Sequence, residues 1–119
     1  MARDSIAYLK SKAFALRIVK MYLYLTEKKG ECVLSKQVLR SGTSIGANLS
    51  EAVWASSKAD FLAKVNIALK EAHETVYWLE LLGENKFLPP KTYDSISAEC
   101  NELISMLVST RKTLTTRKD

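Results

Sequence analysis

The sequence predicts an all-α protein, an antiparallel up-down-up-down bundle of four helices. Apolar residues recur at spacings of three and four along four long segments, which is the repeat of one helix face. No segment shows the sustained alternation of polar and apolar residues that marks a half-buried strand. The breaks between the segments are short, and short connections make successive helices antiparallel neighbours.

The size and composition of the chain fit a single domain over residues 1–119. Of its 119 residues, 47% are hydrophobic and 26% are charged, as in ordinary globular domains. A chain of this size buries roughly two-thirds of its unfolded surface, so its core needs no disulfide or metal. Only 4 glycines and 2 prolines argue against turn-dense β structure and long linkers.

The first helix is predicted over about residues 4–28, with Asp4 or Ser5 as its cap and Gly30 beyond its basic end. It carries two apolar stripes. The first stripe repeats every seven residues, at Leu9, Leu16 and Leu23, with Ile6, Ala13 and Val19 beside them. The second stripe consists of Phe14, Ile18, Met21 and Leu25. Because one stripe is enough to pack a bundle helix, two predict that this helix is covered on two sides or meets another subunit.

The second helix is predicted over about residues 35–55, with Ser35 as its cap. Its inward positions are Val38, Ile45, Leu49 and Ala52. Small residues fill the segment around Gly42 and Gly46, and each glycine costs a helix roughly 1 kcal/mol relative to alanine. We therefore expect a neighbouring backbone to approach closely here, or the helix to bend.

The third and fourth helices are predicted over about residues 58–86 and 92–117. Ser56 or Ser57 is the expected cap of the third helix, and the two prolines that follow it predict an extended link. The expected seam of the third helix is Phe61, Val65, Ala68, Ala72, Thr75, Leu79 and Leu82. The expected seam of the fourth helix is Tyr93, Ile96, Cys100, Leu103, Leu107, Thr110 and Leu114.

The distribution of charge gives the main functional hint. The net charge is +5, and an up-down-up-down bundle brings the start of the first helix and the end of the fourth to the same end. Basic residues cluster in both places, which predicts a basic end that continues along the first helix and contacts nucleic-acid phosphates. The predicted nucleic-acid-binding residues are Arg3, Lys10, Lys12, Arg17, Lys20, Arg111, Lys112, Arg117 and Lys118. The alternative is that this modest charge serves solubility alone.

Four polar residues of the second and third helices form a predicted structural network, which ties the two helices together. They are Asn48, Glu51, Glu71 and Glu74. The alternative for Asn48 and Glu51 is a polar pocket between helices. We expect Glu71 and Glu74 to be charges at the bundle edge rather than metal ligands, because His73 does not follow either glutamate at the spacing of an E-x-x-H motif.

The sequence favours no enzyme, no cofactor and no metal. Residues 42–46 match the nucleophile-elbow pattern G-x-S-x-G, but they lie inside a predicted helix, and the chain has one histidine. Two cysteines and one histidine cannot close a zinc site by themselves. Cys32 and Cys100 are expected to be reduced, semi-buried thiols of a cytoplasmic protein. No apolar run approaches 18 residues, so no membrane span is expected.

The second and third helices resemble the family of 23S ribosomal RNA intervening-sequence proteins. The family pattern is a serine-rich helical turn, an Asn-(Ile/Leu)-x-Glu segment, a Ser-x-x-(Asp/Glu)-Phe helix start and a Glu-x-x-Glu segment. The matching positions are Ser41, Ser44, Ile45, Asn48, Leu49, Glu51, Ser57, Asp60, Phe61, Glu71 and Glu74. Ala52-Val53 departs from the Ala-Gly of many relatives, which bears on where the second helix ends.

The resemblance, which extends to the accessory variability determinant of diversity-generating retroelements, carries several expectations. It implies a homo-oligomer, a ring-like pentamer, with a non-enzymatic role and with nucleic acid or a nucleic-acid enzyme as partner. Two functions from different classes follow from these expectations. One is an oligomer that binds RNA or DNA through its basic end. The other is a protein-interaction scaffold for a nucleic-acid enzyme or a ribosomal partner.

Overall fold

The computed structural model describes residues 5–116, which form four α-helices with no strand among them. The helices are α1 (Ile6–Lys28), α2 (Leu34–Ala52), α3 (Lys58–Glu84) and α4 (Pro90–Thr116). The helices α2 and α4 each pack against both α1 and α3, so α1 and α3 lie diagonally across the bundle from each other. The all-α four-helix prediction is confirmed.

Contacts across the helix pairs run in opposite directions along the chain, so each pair is antiparallel. Between α1 and α2, Ser11 lies against Gly46, whereas Ile18, which comes later in α1, lies against Gly42, which comes earlier in α2. Between α3 and α4, the Cys100 thiol lies 3.4 Å from the Ala72 carbonyl oxygen, and Gly83 lies against the ring of Tyr93. The described bundle measures 51 × 21 × 21 Å, and one core runs its length.

The core consists of the inward positions of all four helices. All predicted inward residues of α2 are buried, and so are the central residues of the α3 and α4 seams. In α1 the second stripe is the one that packs inward. Its residues Phe14, Ile18 and Leu25 have no exposed surface, and Met21 is 6% exposed. The first stripe faces solvent.

Both glycines of α2 have a close neighbour in α1, but its nearest atoms belong to side chains rather than to the backbone that the sequence led us to expect. A Cβ atom on Gly42 would lie 2.9 Å from Cγ1 of Ile18, and one on Gly46 would lie 3.1 Å from the Ser11 hydroxyl oxygen. Both distances are shorter than ordinary van der Waals contact, so these glycines let α2 pack tightly on α1. On the side of α2 that faces α3, the hydroxyl of Ser41 accepts a hydrogen bond of 2.9 Å from the hydroxyl of Thr75.

Several helix ends differ from the predicted positions, each for a local reason. The helix α3 ends at Glu84 because Lys86 adopts a positive φ of 63°, and backbone N–H groups of residues 86 and 87 then close a Schellman motif. The helix α4 begins at Pro90, two residues early, because proline suits the first helical position. The Pro89 carbonyl accepts the first helical hydrogen bond, from Tyr93.

The start of α2 also differs from the prediction, because the cap is Glu31 and not Ser35. The carboxylate of Glu31 accepts hydrogen bonds from the backbone N–H groups of Val33, Leu34 and Ser35, at 3.0, 2.9 and 2.7 Å. Partial burial by itself raises the pKa of the Glu31 carboxyl, but these three N–H donors outweigh it and hold the pKa below its ordinary value.

We expect the substitution Glu31→Gln to lower the free energy of unfolding by about 1 kcal/mol at pH 7, the usual effect of losing a helix cap. Because the folded carboxyl has the lower pKa, its stabilisation exists above the unfolded pKa and is lost as the pH falls through the folded value. The difference between the two proteins should therefore shrink below about pH 4. This difference in the free energy of unfolding is measured by urea unfolding at pH 7 and pH 3.5, followed by circular dichroism. All samples have the same protein concentration.

The control for this measurement is Glu84→Gln, which removes an exposed carboxylate at the end of α3. It should leave the free energy of unfolding within about 0.5 kcal/mol of the native value. A difference between Glu31→Gln and the native protein that stays constant from pH 7 to pH 3.5 would contradict the assigned role of the carboxylate.

Candidate functional site

The first stripe of α1 is an apolar surface that no other part of the described chain covers. We call it the outer stripe, and it consists of Ile6, Leu9, Leu16, Val19 and Leu23. Their exposed fractions run from 40% at Val19 to 66% at Ile6, with 60% at Leu16. Together these side chains expose on the order of several hundred Å² of apolar surface, and exposed Lys12 lies on the same face, between Leu9 and Leu16.

The geometry of the helix explains why one helix carries both a core face and the outer stripe. Neighbouring residues are about 100° apart around an α-helix, so Leu16 points nearly opposite to the buried Phe14 and Ile18. Residues seven apart return to the same face, which places Leu9, Leu16 and Leu23 in a row about 21 Å long. A row of leucines at this spacing is the pattern of helix–helix seams.

Charge is divided unevenly between the two halves of the bundle. We call the half that contains the α2–α3 loop, the start of α1 and the end of α4 the cationic half. Its boundaries are Leu16 in α1, Thr43 in α2, Lys70 in α3 and Glu102 in α4. Its described cations are Lys10, Lys12, Lys58, Lys64, Lys70, Arg111 and Lys112, and its described carboxylates are Glu51, Asp60 and Glu102. In the other half, described cations and carboxylates balance.

Two of the predicted phosphate-binding residues on α1 face α4 and are paired there. Lys10 Nζ lies 2.7 Å from Glu102 Oε1, and the guanidinium of Arg17 donates to the carboxylate of Glu99. Their seven-residue spacing places Lys10 and Arg17 on one face of α1. That face holds ion pairs between helices, so the basic stripe along α1 is interrupted by carboxylates.

The other described candidates are exposed and lie on different sides of the bundle. Lys12 lines a groove between α1 and α2, together with Thr43 and Ser50 of α2. Lys20 lines a groove at the far half, toward Pro89. Arg111 lies against α3, in a groove that it shares with Lys70 and with His73. Lys112 is exposed on α4.

Three predicted candidates, Arg3, Arg117 and Lys118, lie outside the described residues. The helices that lead to them do converge on one end of the bundle. Ser5 and Ala7 at the start of α1 line one groove with Ser109 and Thr110 near the end of α4.

The four residues of the predicted polar network do not form one connected group. Glu71 and Glu74 both pair with Arg40, with 3.3 Å between Arg40 Nη1 and Glu71 Oε1, which ties α2 to α3. Glu51 pairs with Lys64 at 2.9 Å, and this carboxylate raises the pKa of the Lys64 ammonium by hydrogen bonding and by its charge. Asn48 instead donates within its own helix, to the Ser44 carbonyl.

Sequence reasoning missed Arg40 as the partner of the two glutamates. A signal was present, because carboxylates three residues apart share one helix face and need a cation across the helix interface. Glu74 also accepts a hydrogen bond of 2.9 Å from the indole nitrogen of Trp78. These contacts give Glu71 and Glu74 a structural role at the edge of the bundle.

The remaining chemical groups show no assembled reaction centre in the described part of the chain. Both described cysteines are free. Cys32 is exposed rather than half-buried, and complete burial raises the pKa of Cys100 to about 12. Ser44 of the G-x-S-x-G pattern lies within α2, where its hydroxyl donates to the Arg40 carbonyl. Among residues 5–116, no three His, Cys, Asp or Glu side chains cluster as metal ligands would.

None of the described helices is both long and apolar enough to span a membrane. Their lengths suffice, since α3 and α4 have 27 residues each. Charged residues interrupt every one of them.

The fold and its two surface features define a small antiparallel four-helix-bundle protein with an uncovered apolar helix face. Comparison with family models gives its family. Residues 3–109 match the 23S rRNA-intervening sequence protein family, and the chain belongs to this family. The resemblance seen in the motifs of α2 and α3 is thereby confirmed over most of the chain.

A solved structure supports the same assignment. The chain is similar to a protein of unknown function from the S23 ribosomal protein family of Bacteroides thetaiotaomicron, solved at 1.70 Å resolution. The two sequences are 50% identical, the match covers 90% of this chain and 99% of the other, and the TM-score is 0.89. A comparison with curated proteins found no match.

Proposed function

We propose that this protein is a non-enzymatic homo-oligomer of the cytoplasm that binds nucleic acid through the phosphates of its backbone. The outer stripe of α1 joins the subunits, and the cationic half of each subunit supplies the phosphate contacts. The family resemblance favours a ring-like pentamer. The family description, which refers to 23S rRNA, makes RNA the first ligand to test.

The observation that carries the proposal is the position of the outer stripe relative to the charge. The stripe begins in the cationic half, at Ile6 and Leu9, and follows the long axis of the bundle. When subunits associate side by side and in the same direction through α1, their cationic halves gather around one axis. A single subunit has a modest surplus of cations, but several copies hold one nucleic-acid strand by multivalent contacts.

The cations available for this role are those without a carboxylate partner in the described chain. Among the predicted phosphate-binding residues, Lys12, Arg111 and Lys112 meet this condition in the cationic half. Lys10 and Arg17, which pair with α4, contribute mainly to the packing of α1 on α4. We therefore assign the phosphate contacts to Lys12, Arg111 and Lys112.

The test is the affinity for a fluorescent single-stranded RNA, measured by anisotropy between 50 and 200 mM salt. We expect affinity to fall with salt, because phosphate contacts release counterions. The triple substitution Lys12→Glu, Arg111→Glu and Lys112→Glu should weaken binding at least about tenfold and flatten the salt dependence, equally for all RNA sequences.

The matched control reverses three exposed cations in the balanced half, Lys36→Glu, Lys86→Glu and Lys91→Glu. It changes the net charge by the same amount, and its affinity should stay within about threefold of the native value, because distant exposed charges are screened. Equal losses in the two triple variants, or native binding that salt does not weaken, would contradict the proposal. In that case, a partner protein captured after nuclease treatment would support the scaffold function instead.

A further inference from the structure

Trp54 is the most exposed large apolar side chain of the described residues, with 77% of its surface accessible. It lies in the loop between α2 and α3, at the tip of the cationic half. The second tryptophan of the chain, Trp78, contrasts with it. Trp78 is half-buried, its ring packs edge-on against Tyr77, and its indole nitrogen donates to Glu74.

The backbone around Trp54 is held on both sides, so the indole projects from a defined turn. The helix α2 ends at Ala52, three residues before the predicted end. Tight turn bonds follow, from Trp54 N to the Glu51 carbonyl at 3.0 Å and from Ala55 N to the Ala52 carbonyl at 3.1 Å. Immediately afterwards, the Ser57 hydroxyl caps α3 by accepting from Asp60 N at 3.0 Å.

The surroundings of Trp54 do not suit a protein–protein interface centred on this loop. A stable interface buries about 800 Å² on each partner, and one tryptophan supplies roughly 250 Å² or less. The loop residues that follow, Ser56 and Ser57, are exposed and polar. The site is therefore a single flat aromatic surface in polar surroundings.

The half of the bundle that carries Trp54 at its tip also carries the cations assigned to phosphate contacts. Lys12 of α1 lines a groove with Gly46 and Ser50 of α2, and this groove lies in the half of the bundle that ends at the Trp54 loop. Lys64, on the first turns of α3, is paired with Glu51 and is therefore not counted among the cations that contact phosphate. An exposed aromatic ring combined with cations is the arrangement by which proteins hold single-stranded nucleic acid, the ring stacking on a base and the cations contacting phosphates.

We propose that Trp54 stacks on an unpaired nucleobase of the bound strand. This inference rests on the proposed nucleic-acid function and makes it more specific, since it names single-stranded RNA or DNA as the ligand. Stacking tolerates every base, because each base has a π face. Binding should thus discriminate between unpaired and paired strands more than among sequences.

The first experiment reads the indole directly. Trp78→Phe leaves Trp54 as the sole tryptophan, and Trp54→Phe leaves Trp78. An unlabelled 12-nucleotide single-stranded oligonucleotide should quench the fluorescence of the Trp78→Phe protein and leave that of the Trp54→Phe protein unchanged. Binding of the oligonucleotide without quenching of Trp54 would overturn the inference.

The second experiment separates the base from the phosphates. Trp54→Ala should weaken binding of the oligonucleotide about 5- to 100-fold, and should leave binding of an abasic strand with the same number of phosphates within twofold. Equal losses on both strands would overturn the inference. So would a change in the solution mass of the variant, because Trp54 would then belong to a subunit interface. Unchanged thermal unfolding establishes that the variant is folded.

Failure of the inference and failure of the proposed function give different results. If the native protein binds neither strand at low salt, both are overturned. If it binds both strands with the expected salt dependence and Trp54→Ala binds them as tightly as the native protein, only the stacking role is overturned.

Discussion

Replacing Leu16 by glutamate should dissociate the proposed oligomer into monomers. Leu16 is the central leucine of the outer stripe, is 60% exposed, and contributes nothing to the core of its own subunit. In an assembled seam the new carboxylate would be buried without a partner, at a cost of several kcal/mol in each interface. Light scattering or sedimentation should report the mass of a single 13.4 kDa chain, with unchanged helix content by circular dichroism.

The control is Val108→Glu, which adds the same charge at a 36% exposed apolar position of α4. It should leave the mass of the assembly unchanged. A monomeric native protein, or dissociation by Val108→Glu and not by Leu16→Glu, would contradict the assignment of the outer stripe as the subunit interface.

A substitution on α3 distinguishes a ring from a two-fold pair. In a ring each subunit uses two different surfaces, whereas in a two-fold pair each uses the same surface twice. The outer stripe of α1 lies diagonally across the bundle from α3, where Ile67 and Tyr77 are 42% and 53% exposed. If α1 of one subunit packs on α3 of the next, as a ring allows, Ile67→Glu should also dissociate the assembly. If α1 of one subunit packs on α1 of the other, Ile67→Glu should leave the assembly intact.

The sequence was sufficient to predict the class of fold, the four helices and most of the core. It was not sufficient to choose between the stripes of α1, because both are apolar and both have helical spacing. The choice depends on partners that are remote in sequence. The stripe that packs inward is the one whose Ile18 fits against Gly42 of α2, and such a fit exists only once the two helices are in register.

The same limit explains what the sequence predicted and what it missed at the candidate site. Spacing placed Lys10 and Arg17 on one face, but only the register of α1 against α4 brings Glu102 and Glu99 opposite them. The exposure of Trp54 depends on where α2 ends. The helix α2 ends in a tight turn at Ala52, and periodicity carries no information about the direction of a side chain in such a turn.

Replacing Phe14 by alanine should cost about 3–5 kcal/mol of stability, the usual range for a fully buried phenylalanine. Phe14 is two residues from Leu16 on the same helix, has no exposed surface, and packs within the core shared by the four helices. Its removal leaves a cavity that the tightly packed α1–α2 interface cannot close. Phe14 and Leu16, which both belong to helically spaced apolar stripes of α1, are thus predicted to have different roles. Phe14 acts in folding and Leu16 in assembly.

The measurement uses the Leu16→Glu background, so that dissociation does not contribute to the unfolding free energy. Urea unfolding compares Phe14→Ala with Leu9→Ala, a substitution on the outer stripe at a residue that is 51% exposed. Leu9→Ala should cost less than about 1 kcal/mol, as exposed positions do. Because both substitutions remove a large apolar side chain from α1, a comparable loss at the two positions would mean that the outer stripe packs within the subunit, and the interface assigned to it would then be wrong.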